Sequence, residues 1–204
     1  MSQKNYFKGI FLISMAALFW SSAGLFIKII DRPPMQIAFY RSLIAGIFLF
    51  GYLAYQKRKT PFDFKLTKWS YLTALCYVFT VSLFVLANKL TTSANAVFLQ
   101  YTAPVYVIVI SYFFLRERIF AIEVATVIIS LAGMVLFFIE AEKSTALIGN
   151  IIGIFSGIAF ALLQVVVKRS EKSGTERNDK LSDMKGIFNL ALGNTATVLV
   201  LLVM

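Results

Sequence analysis

Arg41 is the residue in this chain that most needs a chemical reason. It lies about six residues into an apolar run starting near residue 35, so about 9 Å along a helix axis. A guanidinium at that depth is expensive unless it snorkels or finds partners. One reason is recognition: a cation facing a cavity binds a carboxylate or another anion. The other is structural, with the side chain reaching the surface or pairing with Asp31. Polar and flat side chains occur at similar depths on neighbouring runs. Tyr40 adjoins Arg41; Asn95, Gln100 and Tyr101 follow the start of a run near Ala94; Trp20 falls near the middle of the first run. Converging on one cavity, they would supply charge, hydrogen bonds and an apolar wall for a bound substrate. Packed separately, the aromatics would fill helix contacts and Gln100 would bond a nearby backbone. Pro104 removes one backbone donor and predicts a kink, either static or a hinge whose freed carbonyls line a cavity. Glu117, between Arg116 and Arg118, is either a gating or coupling carboxylate or part of a surface ion cluster with Glu123.

Other chemistry is poorly supplied. The chain has no histidine and a single cysteine, Cys76, inside an apolar run. That leaves no internal disulfide, no metal site and no cofactor site to expect, and removes the commonest catalytic base. No acid lies deep in any apolar run, so the paired carboxylates of intramembrane enzymes are missing. A net charge of +10 invites a nucleic-acid reading. The basic residues, however, occupy alternate loops rather than a stripe with interleaved aromatics, so nucleic acid is rejected as a partner.

The elements that must position these residues are helices in a bilayer. The chain is 59 % hydrophobic and 15 % charged, with a mean hydropathy of +0.78, outside the range of soluble domains. Runs of about twenty apolar residues match the length a helix needs to cross the hydrocarbon core, and they lack the alternation of barrel strands. They predict an all-α polytopic membrane protein with about seven helices, at 10–30, 35–55, 69–87, 94–115, 119–139, 147–167 and 187–204. Pro33 and Pro34 make the first tight turn, and Pro61 sits before the third helix. The first run is too long for a signal-peptide core and reads as a spanning helix. The 168–185 segment, with four acids and six bases, reads as a solvated linker.

Loop charge sets the expected orientation. Fifteen basic residues fall on the side holding the N-terminus, the 56–68 loop, the Arg116/Arg118 turn and the 168–185 segment; three, Arg32, Lys89 and Lys143, fall opposite. Such a bias places the N-terminus in the cytoplasm. A shift of 140 residues aligns Gly9 with Gly149, Ala17 with Gly157, Trp20 with Phe160 and Lys28 with Lys168, while a shift of 144 aligns Gly9-Ile10-Phe11 with Gly153-Ile154-Phe155. Helices one and six run in opposite directions, so a five-helix unit repeated from the sixth is inverted, the usual basis of alternating access. In the inverted-repeat reading Asn189 takes roughly the place of Arg41. Gly149, Gly153 and Gly157 form a small-residue face suited to close packing or to sliding between repeats.

Several segments together resemble the EamA domain of the drug/metabolite transporter superfamily. They are Phe19-Trp20-Ser21, Arg41 within the second helix, Ser93-Ala94-Asn95-Ala96 through Pro104, and Leu115-Arg116-Glu117-Arg118. The resemblance covers residues 8–140 as one five-helix repeat and 147–204 as the two-helix start of a second. It implies ten helices in two repeats, about three more than this chain holds, so the chain is either truncated or a shortened member. It also implies a plasma-membrane transporter of small metabolites or drugs, amino acids among them, working by alternating access. The expected partners are a small-molecule substrate and the lipid bilayer, with a homodimer left open. The rival readings are a non-transporting membrane fragment and a membrane sensor. A seven-helix receptor fits less well, given a cytoplasmic N-terminus and no lysine in the last helix.

Overall fold

A computed structural model describes residues 3–59, 66–116, 118–138, 147–172 and 179–203. In hydrocarbon a backbone must satisfy its own hydrogen bonds, and helices do so within a single segment. All regular structure among the described residues is accordingly helical: α1 (Gln3–Ile29), α2 (Pro34–Lys59), α3 (Lys68–Leu90), α4 (Ser93–Tyr101), α5 (Ala103–Leu115), α6 (Ala121–Phe138), α7 (Leu147–Lys172) and α8 (Asp179–Val203). Among the described residues, six segments are long and apolar enough to span a bilayer, with α4 and α5 together making one of them, Ser93–Leu115. Large apolar side chains point outward: Phe48 exposes 74 % of its surface, and Ile13, Phe113 and Ile122 each expose 72 %. A soluble monomer does not carry apolar exposure on this scale, and lipid is its natural cover. The protein is an all-α polytopic membrane protein.

The turns fall into two ends. The proline end holds the α1–α2 turn, the α3–α4 turn and the start of α7. The basic end holds the starts of α3 and α8 and the finish of α7. Between them, α3 is the hub, packing against α7, α8, α2, α4 and α1. Half of its most apolar window is buried, against 11 % for α1. α7 is the second hub, against α3, α4 and α5, while α2 pairs with α8. At the proline end, Ile27 of α1, Ile37 and Ala38 of α2, Val81, Phe84 and Val85 of α3 and Ala96 of α4 form one apolar cluster.

Helix ends follow local chemistry. Thr67 and Ser70 start α3 with a reciprocal capping box, each hydroxyl accepting from the other's backbone N–H. Arg116, at φ 53°, closes α5 in the left-handed conformation that terminates helices. The helix expected over 94–115 is interrupted at Thr102. Pro104 lies in the first turn of α5, where its missing N–H leaves no bond unmade. The segment expected to be a solvated linker is largely helical: α7 continues to Lys172 and α8 begins at Asp179. Charged residues of good helix propensity extend both helices beyond their spans, and the Lys185 ammonium donates to the Ser170 carbonyl across the pair.

Candidate transport site

The interior of the bundle is unusually polar for a protein in lipid. Asn88, Asn189, Ser42, Ser156, Ser170, Thr73 and Thr197 are all fully buried. Hydrocarbon offers these groups no partners, so their positions are dictated by other helices. They form layers along the bundle.

At the proline end two lysines each cap the other's helix. The Lys28 ammonium, at the end of α1, donates to the carbonyls of Asn88 (3.3 Å), Lys89 (3.4 Å) and Thr91 (2.8 Å) at the end of α3. The Lys89 ammonium donates back to the Ile30 carbonyl beyond α1. Both helices finish at this end, so each cation meets unsatisfied carbonyls and the negative end of a helix dipole. The Ser93 hydroxyl, within 3.1 Å of each acceptor, reaches the Gly24 carbonyl and Asn88 Oδ1. A Cβ at Gly24 would sit 3.2 Å from Asn88 Nδ2, which has no partner of its own among the described residues.

Below this lies a seam between α4 and α7. Asn95 Nδ2 donates to the Thr91 hydroxyl (3.4 Å), which donates to Asn150 Oδ1 (2.9 Å). One turn deeper, Gln100 Nε2 donates to the Ser156 hydroxyl (3.2 Å), itself 3.5 Å from the Thr80 carbonyl of α3. The seam closes tightly because α7 presents glycines to it. A Cβ at Gly149 would meet the Leu90 carbonyl carbon at 2.8 Å, and one at Gly157 the Leu99 carbonyl oxygen at 2.7 Å. The small-residue face is thus a packing surface, with the helix break directly above Gly157. The carbonyls at the break are occupied locally: Leu99 accepts from the Thr102 hydroxyl at 2.6 Å, and Gln100 from the Thr102 N–H.

The residues singled out from sequence divide between two regions. Asn95 and Gln100 belong to the α4–α7 seam, and Tyr101 is half-buried beside them. Trp20, largely exposed, sets its ring edge-on to Phe160 of α7, with centroids 6.1 Å apart. Tyr40 and Arg41 lie on α2, which packs on α3 and α8. Tyr40 is exposed and stacks edge-on with Phe39. Arg41 is exposed and makes no hydrogen bond or ion pair among the described residues, with Asp31 or any other group. It sits one turn below Ile37, on a stripe continued by the exposed Ile44 and Phe48 and beside the buried stripe of Ala38, Ser42 and Gly46. No hydrogen bond or ion pair joins the two regions among the described residues. Pro104 is exposed at the start of α5. Glu117 lies outside the described residues, and Glu123 accepts from the Phe120 N–H at the head of α6.

An open groove of about 380 Å³ runs between α2 and α8, lined by Ser42, Gly46, Ile47, Phe50 and Thr195 among others. Ser42 is fully buried and its hydroxyl has no partner among the described residues. Across the α3–α8 contact, the Tyr77 hydroxyl donates to Asn194 Oδ1 at 3.1 Å. Among the described residues, no group of three or more histidine, cysteine, aspartate or glutamate side chains could hold a metal. The residues not anticipated from sequence are Asn88, Ser156, Tyr77 and the Lys28/Lys89 pair. Asn88 and Lys89 fell just past the expected end of the third helix, so they looked like loop residues. Ser156 and Tyr77 carry no local signal, because their partners are 56 and 117 residues away.

Comparison with known proteins places this arrangement. Residues 7–139 match the EamA-like transporter family. The chain is 31 % identical over 170 residues to the uncharacterized inner membrane transporter YhbE of Escherichia coli K12, covering 77 % of this chain and 51 % of that protein. It is 29 % identical over 168 residues to an uncharacterized transporter of Clostridium kluyveri, covering 78 % of this chain and 53 % of that one. The chain thus spans about half the length of these curated relatives. No solved structure matches. The apolar spans, the helix order and the family match together make this chain a member of the EamA-like transporter family.

Proposed function

We propose that the protein takes part in moving small metabolites or drugs, amino acids a leading class, across the plasma membrane by alternating access. One observation carries this reading: Arg41, within the α2 span, is exposed and has no partner among the described residues. A cation held inside a span without a protein partner is poised for an anionic one, and a substrate carboxylate fits its two-pronged geometry. Tyr40 and Trp20 would form the flat wall of the path. Asn95, Gln100 and Tyr101 would line it from α4, and the break before Pro104 would be its hinge, with Glu117 at the far gate. In this reading the proline end faces outward, the N-terminus is cytoplasmic, and the apolar cluster with the Lys28/Lys89 capping pair forms the outer closure.

Two features support an inverted repeat, residues 8–140 followed by the start of a second at 147–204. Trp20 and Phe160, equivalent in the 140-residue register, meet edge to face. α2 and α8, the second helices of the two units, pack as a pair, as helices flanking a two-fold axis in the membrane plane would. Because this chain spans only about half the length of these relatives, the transporting unit is itself part of the proposal, and a homodimer is the assembly to test by crosslinking.

The experiment is counterflow in proteoliposomes against a panel of amino acids and other carboxylates. Arg41→Ala should abolish flux while membrane insertion stays normal, and Arg41→Lys should keep a fraction of it. Full flux by the alanine variant removes Arg41 from the mechanism. No flux of any panel member by correctly inserted wild-type protein favours a non-transporting membrane protein or sensor.

A further inference from the structure

We propose that Lys68 and Arg169, gathered around Trp69, form a binding site for the phosphate of an anionic phospholipid at the basic end of the bundle. Lys68 is the first residue of α3 and Arg169 lies in the last turn of the α7 span, so both stand at a bilayer boundary. Trp69 is held by its apolar body against the cluster of Cys76, Leu163 and Val166. Its ring has the Lys68 ammonium 5.4 Å and the Arg169 guanidinium 5.8 Å from its centroid. Cation–π attraction therefore brings two like charges together on one anchored indole. Both side chains are exposed, and neither has a carboxylate partner among the described residues. Two converging cations with no counter-charge among the described residues attract an anion, and a phosphate oxygen set suits an ammonium and a guanidinium together.

The surroundings select a lipid over a soluble anion. Lys68 heads one face of α3, continued at helical spacing by Leu72, Leu75 and Phe79. These expose 37 %, 54 % and 52 % of their surface. A headgroup at Lys68 and Arg169 thus leaves an apolar track for its acyl chain. A tryptophan beside basic residues is also at home at headgroup depth. The Lys185 ammonium, nearby in the α7–α8 pair, is engaged with the Ser170 carbonyl.

Trp69 supplies the readout, since the only other tryptophan is Trp20. In a Trp20→Phe background, the full chain is reconstituted with brominated phosphatidylglycerol or brominated phosphatidylcholine at equal mole fraction. Trp69 fluorescence should be quenched at about ten-fold lower content of the anionic lipid. Lys68→Ala with Arg169→Ala should erase the preference, while Lys57→Ala, at the same end, keeps it. Near-UV dichroism of the double variant checks that the fold survives. Equal quenching by the two lipids in the parent overturns the site. So does loss of the preference in Lys57→Ala, which would mean general surface charge, or displacement by millimolar inorganic phosphate, which would mean a soluble anion.

Discussion

Adding a single methyl group to each glycine of α7 should cost an amount set by what that methyl meets. At Gly157 the new Cβ would lie 2.7 Å from the Leu99 carbonyl oxygen and 3.6 Å from the Gln100 Cα. Both are backbone atoms, so α4 and α7 must separate by about half an ångström, disturbing the Gln100–Ser156 bond as well. Overpacking of this kind costs about 1–3 kcal/mol. Alanine returns up to about 1 kcal/mol through its better helix propensity. The expected net destabilisation is about 1–2 kcal/mol, a roughly five- to thirty-fold change in the unfolding equilibrium. Gly149→Ala, which meets the Leu90 carbonyl carbon and the Thr91 nitrogen at 2.8 and 2.9 Å, should behave alike. Gly153→Ala meets only the Leu99 side chain, at 2.8 Å from Cδ1. A rotamer change moves Cδ1 away and leaves only a 3.1 Å contact with the Leu99 Cβ to relax, so the cost should stay at or below about 1 kcal/mol, smaller than at Gly157. Gly9→Ala, with nothing within 4 Å, should be neutral or slightly stabilising. Reversible unfolding in bicelles, followed by steric trapping, measures the series on one scale. If Gly157→Ala proves as stable as Gly9→Ala, the α4–α7 seam is not packed as described.

Other substitutions test the polar layers separately. Tyr77→Phe removes the bond to Asn194 and should cost about 1 kcal/mol in the same assay, without changing the oligomeric state seen by light scattering. Lys28→Ala with Lys89→Ala should free the carbonyls at the end of α3, raising amide exchange over residues 88–95 about ten-fold, whereas the paired arginine variants should retain protection. Gln100→Ala should speed proteolysis or labelling at the Thr102 break; a wild-type rate would show that the Ser156 bond does not hold the break closed.

What could be read from the sequence alone was the medium and the chemistry that the medium makes conspicuous. Hydropathy and loop charge are local, additive properties, and lipid tolerates few alternatives to an apolar helix. The spans, the all-α architecture and the resemblance to EamA transporters were therefore visible in the residues, as was the oddity of Arg41. The tertiary structure decided which faces meet. Lipid is as apolar as leucine, so hydrophobicity carries no instruction about helix partners; close approach of small residues and polar bonds between distant segments supply it. Only the folded chain pairs α3 with α7 and sets Gly157 under the Leu99 carbonyl. Only there does Lys28 meet carbonyls more than sixty residues away, at Lys89 and Thr91. The break at Thr102 shows both levels at work. Pro104 announced it, but its closure depends on the Thr102 hydroxyl and on Ser156, a residue no local pattern connects to it.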